Sequence, residues 1–434
     1  MSAIRPSRRD ILRAGASVGL GAALEGLSAL PGLGLAFAET KVADPLLVVV
    51  HLRGGADGLH LFSPADDADF VAARQSELRV ATSGPDAGHK IDRSPDQRID
   101  FRLHPQANAL FELYRDGRLA LVPAAGLPAA TRSHFVAIDM IERGVADAAA
   151  LARSDSGWLT RYLRGHVPVT GAAAVSAAGA PSGEYLGYAK ALSVADLGGG
   201  FGVPGGPPMM PLLDRLYRDA PGPIGAAGRD ALAAIRLIDE HLPRDDQNKP
   251  IAYQPAQKGA YDVAGDFARP LKVVAQLAKL DVGLSVATVD FGGWDTHENQ
   301  PGRFRVQVER LSTGLSAFYN DLAQRHDRLI ILVQTEFGRR FRSNRSAGTD
   351  HGRGGLMMVL GGKVQGGACY GRWPGLKAKD LDEGVDLAVA TDYRQVVSEV
   401  LAAHQGAPAA KDVFPGYAAP SRLGLFHDDR QSHR

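Results

Sequence analysis

Residues 46–52 read Leu-Leu-Val-Val-Val-His-Leu, a continuous apolar run that is rich in β-branched side chains. A strand that packs against helices on both faces has this pattern, whereas a strand with one solvated face alternates apolar and polar residues. Similar runs recur further along the chain, separated by stretches of helical periodicity, at 119–123, 283–291, 329–334 and 356–360. Strands that alternate with helices indicate right-handed βαβ crossovers. The sequence therefore predicts the α/β class, with a mostly parallel sheet and helices on both faces.

The composition is that of a globular protein, and it excludes several classes of function. Of the 434 residues, 45% are hydrophobic and 22% are charged, which is typical of soluble domains. A formal net charge of +1, without a basic stripe, argues against nucleic acid as a partner. Cys369 is the single cysteine, so the chain forms no intramolecular disulfide and no cysteine-rich zinc site.

The N-terminus resembles an export signal. Residues 7–12 (Ser-Arg-Arg-Asp-Ile-Leu) resemble a twin-arginine motif, an apolar stretch follows, and Ala36-Phe-Ala38 fits a cleavage site. A transmembrane anchor is the alternative, but Glu25 and Pro31 interrupt the apolar run, which is shorter than the about 20 residues a span needs. Residues 1–38 are therefore predicted to be a signal peptide. This implies the twin-arginine translocase as a partner, a periplasmic or secreted location, and no stable membrane anchor.

The mature chain is predicted to form one large α/β domain with additions. The main domain is predicted over residues 39–404. Residues 165–260 are rich in Gly, Ala and Pro and carry no dense polar motif, so we predict a cap or middle insertion there. Residues 405–434 are predicted to be a loose tail.

Five polar clusters beside the predicted strands carry the candidate site: 53–57 (RGGAD), 132–134 (RSH), 292–297 (GGWDTH), 335–339 (TEFGR) and 349–352 (TDHG). Loops that leave the carboxyl ends of parallel strands share one edge of a sheet, where ligand sites form. We therefore expect their carboxylates and imidazoles to meet in one crevice. The predicted metal ligands are Asp57, Asp295, His297, Glu336, Asp350 and His351. A carboxylate-rich set favours Mg, Mn or Ca, the histidines admit Zn, and we favour Zn or Mn.

Most of these residues also have a structural alternative. Asp57 is a good turn former in a glycine-rich loop, and the pair Asp295 and His297 could cap a turn. Asp350 and His351 could supply two ligands, or one ligand and a carboxylate that orients it. Glu336 could act as a ligand or as a base.

Ser133 and three arginines complete the predicted site. Ser133 is a candidate nucleophile at the start of a predicted helix, where serine is also a common N-cap. His134 is a poor base for it, since neighbours in sequence on a helix do not face one another. Arg53, Arg132 and Arg339 are candidates to bind an anionic group. The G-x-S-x-G pattern occurs only at residues 15–19, within the predicted signal peptide, and not after a predicted strand, so a metal-free serine esterase is a weaker interpretation.

Longer motifs give a resemblance to a known family. The chain resembles the DUF1501 family of exported bacterial proteins from residue 46 to about 404, through LRGGADG (52–58), TRSHF (131–135), SGWL (156–159), DFGGWDTH (290–297), QTEFGR (334–339), GTDHGRGG (348–355), LGG (360–362), YGRWPGL (370–376) and TDYRQV (391–396). That family is similar in its α/β layout to the alkaline phosphatase/sulfatase superfamily. The superfamily binds one or two divalent metals at the strand ends and attacks phosphate or sulfate esters with Ser, Thr or a modified Cys.

The resemblance implies a role for individual residues. Asp57 resembles the ligand after the first strand, and Ser133 resembles the nucleophile. Asp295 with His297, and Asp350 with His351, resemble the later ligand pairs. Glu336-Phe337 stands where the superfamily usually has Asp-His. The resemblance implies an exported metal-dependent hydrolase acting on a small anionic ester, and the alternative is a non-catalytic periplasmic binding or scaffold protein with a degenerate site.

Overall fold

Strand β1 (Leu46–Leu52) runs through the middle of a nine-stranded sheet, and all seven of its residues are buried. The computed structural model describes residues 45–166, 171–256, 258–406 and 410–427, so the predicted signal peptide lies outside the described residues. No helix within these ranges is both long enough and apolar enough to cross a membrane.

The other strands are mostly short. They are β2 Phe62–Pro64, β3 His89–Lys90, β4 Phe101–Leu103, β5 Leu119–Gly126, β6 Ala174–Ser176, β7 Leu192–Ser193, β8 Val286–Phe291, β9 Leu329–Gln334, β10 Gly355–Gly361, β11 Ala368–Cys369 and β12 Thr391–Asp392. The α-helices are α1 Gly58–Leu61, α2 Ala68–Ala73, α3 Asn108–Arg115, α4 His134–Arg143, α5 Ala148–Arg153, α6 Trp158–His166, α7 Met210–Arg218, α8 Gly222–His241, α9 Lys258–Val263, α10 Ala268–Lys279, α11 Gln300–Asp321, α12 Tyr393–Gln405 and α13 Ala410–Val413.

The main sheet has the order β11-β5-β10-β9-β1-β8-β6-β7, and β12 also pairs with β5. β1 is parallel to β8 and β9, and β6 is parallel to β7 and β8. β10 is antiparallel to both of its neighbours, β5 and β9. The predicted mostly parallel sheet is therefore confirmed, with one reversed strand inside it. β2, β3 and β4 form a separate three-stranded sheet.

Helices cover both faces of the main sheet, as the buried strand pattern predicted. Val48 and Val50 of β1 belong to one apolar cluster, which includes Phe304 of α11. Leu47 and Val49 belong to a second cluster, which includes Val396 of α12. Alternate residues of one strand thus pack into different cores, because successive side chains of a strand point to opposite faces.

Two predictions about domain organisation differ from the structure. The predicted insertion at 165–260 contributes β6 and β7 to the main sheet, and Ala234 and Ile238 of α8 belong to the same apolar cluster as Val48 and Val50. The predicted loose tail is wrong for residues 410–427, because Phe414 and Leu425 are fully buried in the second cluster. The two short strands and the packed segment at 410–427 each depend on a few isolated apolar residues. Such residues show no periodicity in the sequence, so neither feature could be predicted from it.

Candidate metal centre

The sheet brings all five polar clusters to one edge. His51 of β1 lies opposite Asp290 of β8 and Gln334 of β9, so the loops that follow these three strands start side by side. β5 runs parallel to β9 because β10 is antiparallel to both, and the loop after β5 leaves at the same edge. The fifth cluster precedes β10 rather than following a strand. It reaches this edge because β10 is reversed and begins at Gly355, which pairs with Ala125 near the end of β5.

Two glycines after β1 allow these loops to pack closely. Gly54 has φ +120°, and a β-carbon there would lie 2.4 Å from the backbone nitrogen of Asp295. Gly55 has φ +68°, and a β-carbon there would lie 2.4 Å from the ring of Phe337. Residues other than glycine rarely adopt these dihedral angles. Gly54 therefore lets the loop that carries Asp295 come close to the end of β1, and Gly55 does the same for the loop that carries Phe337.

Three imidazoles meet around one carboxylate at this edge. His297 Nε2 and His351 Nε2 are 2.9 Å apart, and each is 3.1 Å from Asp295 Oδ1. His134 Nε2 lies 3.6 Å from Asp295 Oδ2. The possible ligand atoms of His134, Asp295 and His351 all lie within 4.8 Å of one another. In a tetrahedral zinc site with bonds of about 2.0–2.1 Å, neighbouring ligand atoms are about 3.3 Å apart, so these separations fit the coordination of a metal ion.

The other nitrogen of each imidazole is held by an acceptor. His134 Nδ1 lies 2.8 Å from Glu336 Oε1, and His297 Nδ1 lies 3.0 Å from Asp350 Oδ1. His351 Nδ1 lies 2.8 Å from the backbone oxygen of Arg132. Carbonyl and carboxylate oxygens only accept hydrogen bonds, so each Nδ1 carries the proton and donates it. This second set of contacts is the arrangement that orients histidine ligands in metalloproteins.

These protonation states leave electron pairs facing one another. With each Nδ1 protonated in the neutral ring, Nε2 of His297 and Nε2 of His351 both present lone pairs to each other and to the Asp295 carboxylate. Such a convergence is unfavourable unless a proton or a cation lies between the groups. The donor set therefore fits a divalent metal ion: the possible ligand atoms of His134, Asp295 and His351 lie together, and Nε2 of His297 lies beside Asp295 and His351 as a further candidate ligand. We call these four residues the metal centre.

The surrounding charges keep the carboxylates ionised. Partial burial alone would raise the pKa of Asp295, but the hydrogen bond and the positive charge of Arg339 outweigh it and lower the pKa to about 2. Burial would also raise the pKa of Glu336, yet hydrogen bonds from His134 and the Gly54 backbone lower it. The hydrogen bond from His134 to Glu336 in turn raises the pKa of that imidazole. An ionised Asp295 is the form that binds a cation.

The centre is open to solvent. The side chains of Asp295 and His297 are 47% and 41% exposed, and those of His134 and His351 are 26% and 20% exposed. Glu336, behind His134, is 3% exposed. The ligand atoms therefore lie at the surface while one of the groups that orients them is buried, so a small molecule can approach the centre.

Asp57 lies elsewhere, which corrects its prediction as a ligand. Its carboxylate is fully buried, accepts from both terminal nitrogens of Arg74 at 2.6 and 3.1 Å, and accepts from Gln300 at 2.7 Å. It also caps α1 through the backbone nitrogen of His60. Burial would raise the pKa of Asp57, but Arg74 lowers it to about 2. The turn-forming alternative describes Asp57 better, with a buried ion pair that the sequence did not indicate.

Glu336 and Asp350 come close to the centre without joining the ligand atoms. Glu336 accepts from His134, from Gly54 N at 2.8 Å and from Thr335 Oγ1 at 3.0 Å. Asp350 accepts from His297 and from Asn344 Nδ2 at 3.2 Å. Their contacts favour a role as carboxylates that hold and polarise the candidate histidine ligands over the predicted role of direct ligands.

The arginines predicted to bind an anion are engaged by the protein. Arg339 is buried and donates to the backbone oxygens of Gly54, Gly55, Trp294 and Thr349 and to Asp295 Oδ1 at 2.6 Å. Arg132 pairs with Asp386 and Glu383, and Arg53 pairs with Asp290 and Glu142. Arg339 therefore fixes the loops and Asp295 in place, and each of the three guanidinium groups is already paired with carboxylates of the protein.

Ser133 is exposed at the N-cap position of α4, and its hydroxyl does not cap the helix. It directly precedes His134, a candidate ligand that the sequence analysis did not identify. His134 was considered only as a base for Ser133. The available signal was its position, at the start of a helix that follows a strand, beside two other clusters that contain histidine.

The comparisons with known proteins agree with parts of this description. A family model described as "Protein of unknown function (DUF1501)" matches residues 263–413, which confirms the predicted resemblance over that stretch. It contains Asp295, His297 and His351, whereas His134 lies before it. No curated protein matches the chain.

Solved structures are similar only at low levels. A mutant of TAB5 alkaline phosphatase with Mg bound in the M3 site matches with 9% identity and a TM-score of 0.30, covering 74% of this chain and 91% of the other. The PH0037 protein from Pyrococcus horikoshii matches with 10% identity and a TM-score of 0.27, covering 74% of this chain and 86% of the other.

Proposed function

We propose that this chain is an exported, metal-dependent hydrolase of phosphate or sulfate esters that works at the metal centre. The observation that carries the proposal is the convergence of three Nε2 atoms on Asp295, with every opposite Nδ1 held by an acceptor. Three imidazoles with one carboxylate favour Zn over Mg or Ca, and Mn is the second choice. A bound divalent ion would supply Lewis-acid chemistry, polarising an ester oxygen and lowering the pKa of water or a hydroxyl group.

The protein's own groups would orient the reactants. Glu336, Asp350 and the Arg132 carbonyl hold the rings of the three histidines, and Arg339 holds Asp295. Ser133 places an exposed hydroxyl one residue before His134, so it is the candidate nucleophile, with water as the alternative. Its hydroxyl has no hydrogen-bond partner within the described residues, so no side chain there is in place to act as its base.

A metal-binding or scaffold protein without turnover is the second candidate. Four protein ligands complete a tetrahedral shell, as in structural zinc sites, whereas catalytic sites usually keep one position open. The engaged state of Arg53, Arg132 and Arg339 also favours this candidate, since the centre itself then lacks a free guanidinium group for the substrate anion.

Activity measurements separate the two candidates. We expect the zinc- or manganese-loaded protein to hydrolyse at least one member of a panel of aryl phosphate monoesters, phosphate diesters and sulfate esters. Chelation should abolish turnover, and added metal should restore it. Asp295→Ala should lower kcat/KM by at least about 100-fold, since even an orienting partner of a ligand is worth about 10–100-fold. Ser133→Ala should lower activity only if Ser133 is the nucleophile. Bound metal without turnover on any ester would leave the scaffold function as the better description.

We also propose export through the twin-arginine route, on the basis of Arg8 and Arg9 in the sequence. In a bacterial host, the precursor is expected to be shortened near Glu39 and recovered from the periplasm. Replacing both arginines by lysine should leave the full-length form in the cytoplasm. The measurement is immunodetection of the two sizes in separated fractions, and periplasmic recovery of the double-lysine variant would contradict the proposal.

A further inference from the structure

A cleft of about 680 Å³ lies between α11 and the loop that follows β8. Along α11 it is lined by Gly302, Arg303, Val306, Gln307 and Arg310, a spacing of three and four residues that places them on one face of the helix. On the opposite side it is lined by the β8 end and by Gly292 and Gly293. The cleft plays no part in the function proposed above.

Two guanidinium groups in the cleft form no ion pair with the described residues, although two carboxylates also line it. Among the residues that the structure describes, neither Arg303 nor Arg310 forms an ion pair or a hydrogen bond through its side chain. Asp290, which also lines the cleft, is already paired with Arg53 at 2.8 Å. Asp266 is exposed at the rim and leaves an acceptor for a hydroxyl or amino group of a ligand. This contrasts with the metal centre, where the nearby arginines are all engaged.

The cleft is bounded by glycines, which carry no side chain, and by the guanidinium group of Arg310. A β-carbon at Gly292 or Gly302 would meet no atom within 4 Å, so the space above these two glycines is open. Arg310 lies against Gly265, where a β-carbon would be 3.0 Å from Arg310 Nε. Gln307 donates to the Gly292 oxygen and ties the helix to the loop. One of the two guanidinium groups therefore packs against the backbone at Gly265.

We propose that this cleft is a binding subsite for a small anionic molecule, with Arg303 and Arg310 bound to its phosphate, sulfate or carboxylate group. Guanidinium groups bind such oxyanions through paired hydrogen bonds. Gly293, in the wall of the cleft, is two residues from Asp295, so their Cα atoms are at most about 7 Å apart. A ligand in the subsite thus lies beside the segment that carries the metal ligand. The subsite does not depend on catalysis at the metal centre.

The test is equilibrium binding of inorganic phosphate, sulfate and succinate to the metal-free protein, measured by calorimetry. We expect saturable binding of at least one anion. Arg303→Gln and Arg310→Gln should each weaken it by at least about tenfold, since charge-assisted hydrogen bonds are lost. Gly302→Leu should weaken it to a similar extent by filling the open space, without lowering the unfolding transition, since leucine is a better helix former than glycine. Arg305→Gln, on the same helix but outside the cleft, is the matched control and should bind like the wild type.

A variant of the metal centre distinguishes the two sites. His351→Ala should retain anion binding in the metal-free protein. Absence of saturable binding, equal binding by the wild type and the Arg303 and Arg310 variants, or loss of binding in His351→Ala would each overturn the subsite. Failure of ester hydrolysis would overturn the proposed activity and leave the subsite standing.

Discussion

Replacing His134 by alanine is expected to remove the bound metal almost completely. The change deletes one of three imidazoles around Asp295 and leaves Glu336 buried without the hydrogen bond at 2.8 Å that it accepts from His134. Loss of an orienting partner alone lowers metal affinity by about 10–100-fold, so loss of the ligand itself should lower it by more. The measurement is zinc content per chain after dialysis, together with the Kd from competition with a chromophoric chelator.

Ser133→Ala is the matched control for this experiment. It alters the preceding residue in the same loop and leaves all three rings in place, so we expect it to retain one metal ion per chain. The metal content of Glu336→Gln should fall between those of His134→Ala and Ser133→Ala. An amide oxygen still accepts from His134, but it lacks the negative charge that polarises the ring. Equal metal content in wild type and His134→Ala would contradict the assignment of His134 as a ligand.

The strands at the centre of the sheet could be predicted from sequence because they are continuous buried runs. The predicted bounds of β1 and β9 agree with the structure. β6 and β7 were missed because three and two residues are too few to show a pattern. The reversed direction of β10 could not be predicted either, because the direction of a strand depends on the connection that precedes it and not on the residues of the strand.

The sequence predicted where the candidate site lies, but it did not predict which residues are the candidate ligands. Asp295, His297 and His351 lie in glycine-flanked loops beside strands, which is where the sequence argument placed them. A candidate histidine ligand is recognised by the acceptor that its Nδ1 contacts. For His351 this acceptor is the Arg132 carbonyl oxygen, and for His134 it is Glu336. Those partners are more than two hundred residues away in sequence, so local spacing carries no information about them.

Asp57 is the converse case, because the sequence predicted it to be a ligand and the structure places it in an ion pair. A carboxylate after the first strand has the position expected of a metal ligand, but Arg74, seventeen residues later, takes both of its oxygens. No short motif joins the two residues. Only the packing of α2 against the site edge brings the guanidinium group to Asp57, so the sequence favoured a ligand where the fold forms an ion pair.

Asp57→Ala should therefore destabilise the fold rather than only weaken metal binding. The side chains of Asp57 and Arg74 are 1% and 0% exposed, so the variant leaves a buried guanidinium group without its counter-charge. Breaking a buried pair in this way typically costs about 3–5 kcal/mol of unfolding free energy. The loss of the α1 cap and of the Gln300 hydrogen bond adds to this effect. The measurement is unfolding by urea at neutral pH, in the metal-free protein.

Asp96→Ala is the control, because its partner Arg98 is 88% exposed and such surface pairs contribute about 0–1 kcal/mol. The acid dependence provides a second readout. Since Arg74 lowers the pKa of Asp57 to about 2 in the folded state, below the about 3.9 of an unfolded aspartate, its contribution is present above about pH 4 and lost as the pH falls through about 2. The alanine variant should lack this part of the acid transition. If Asp57→Ala instead retained wild-type stability and lost its metal, Asp57 would be a ligand and the buried ion pair would not be what holds this edge of the sheet together.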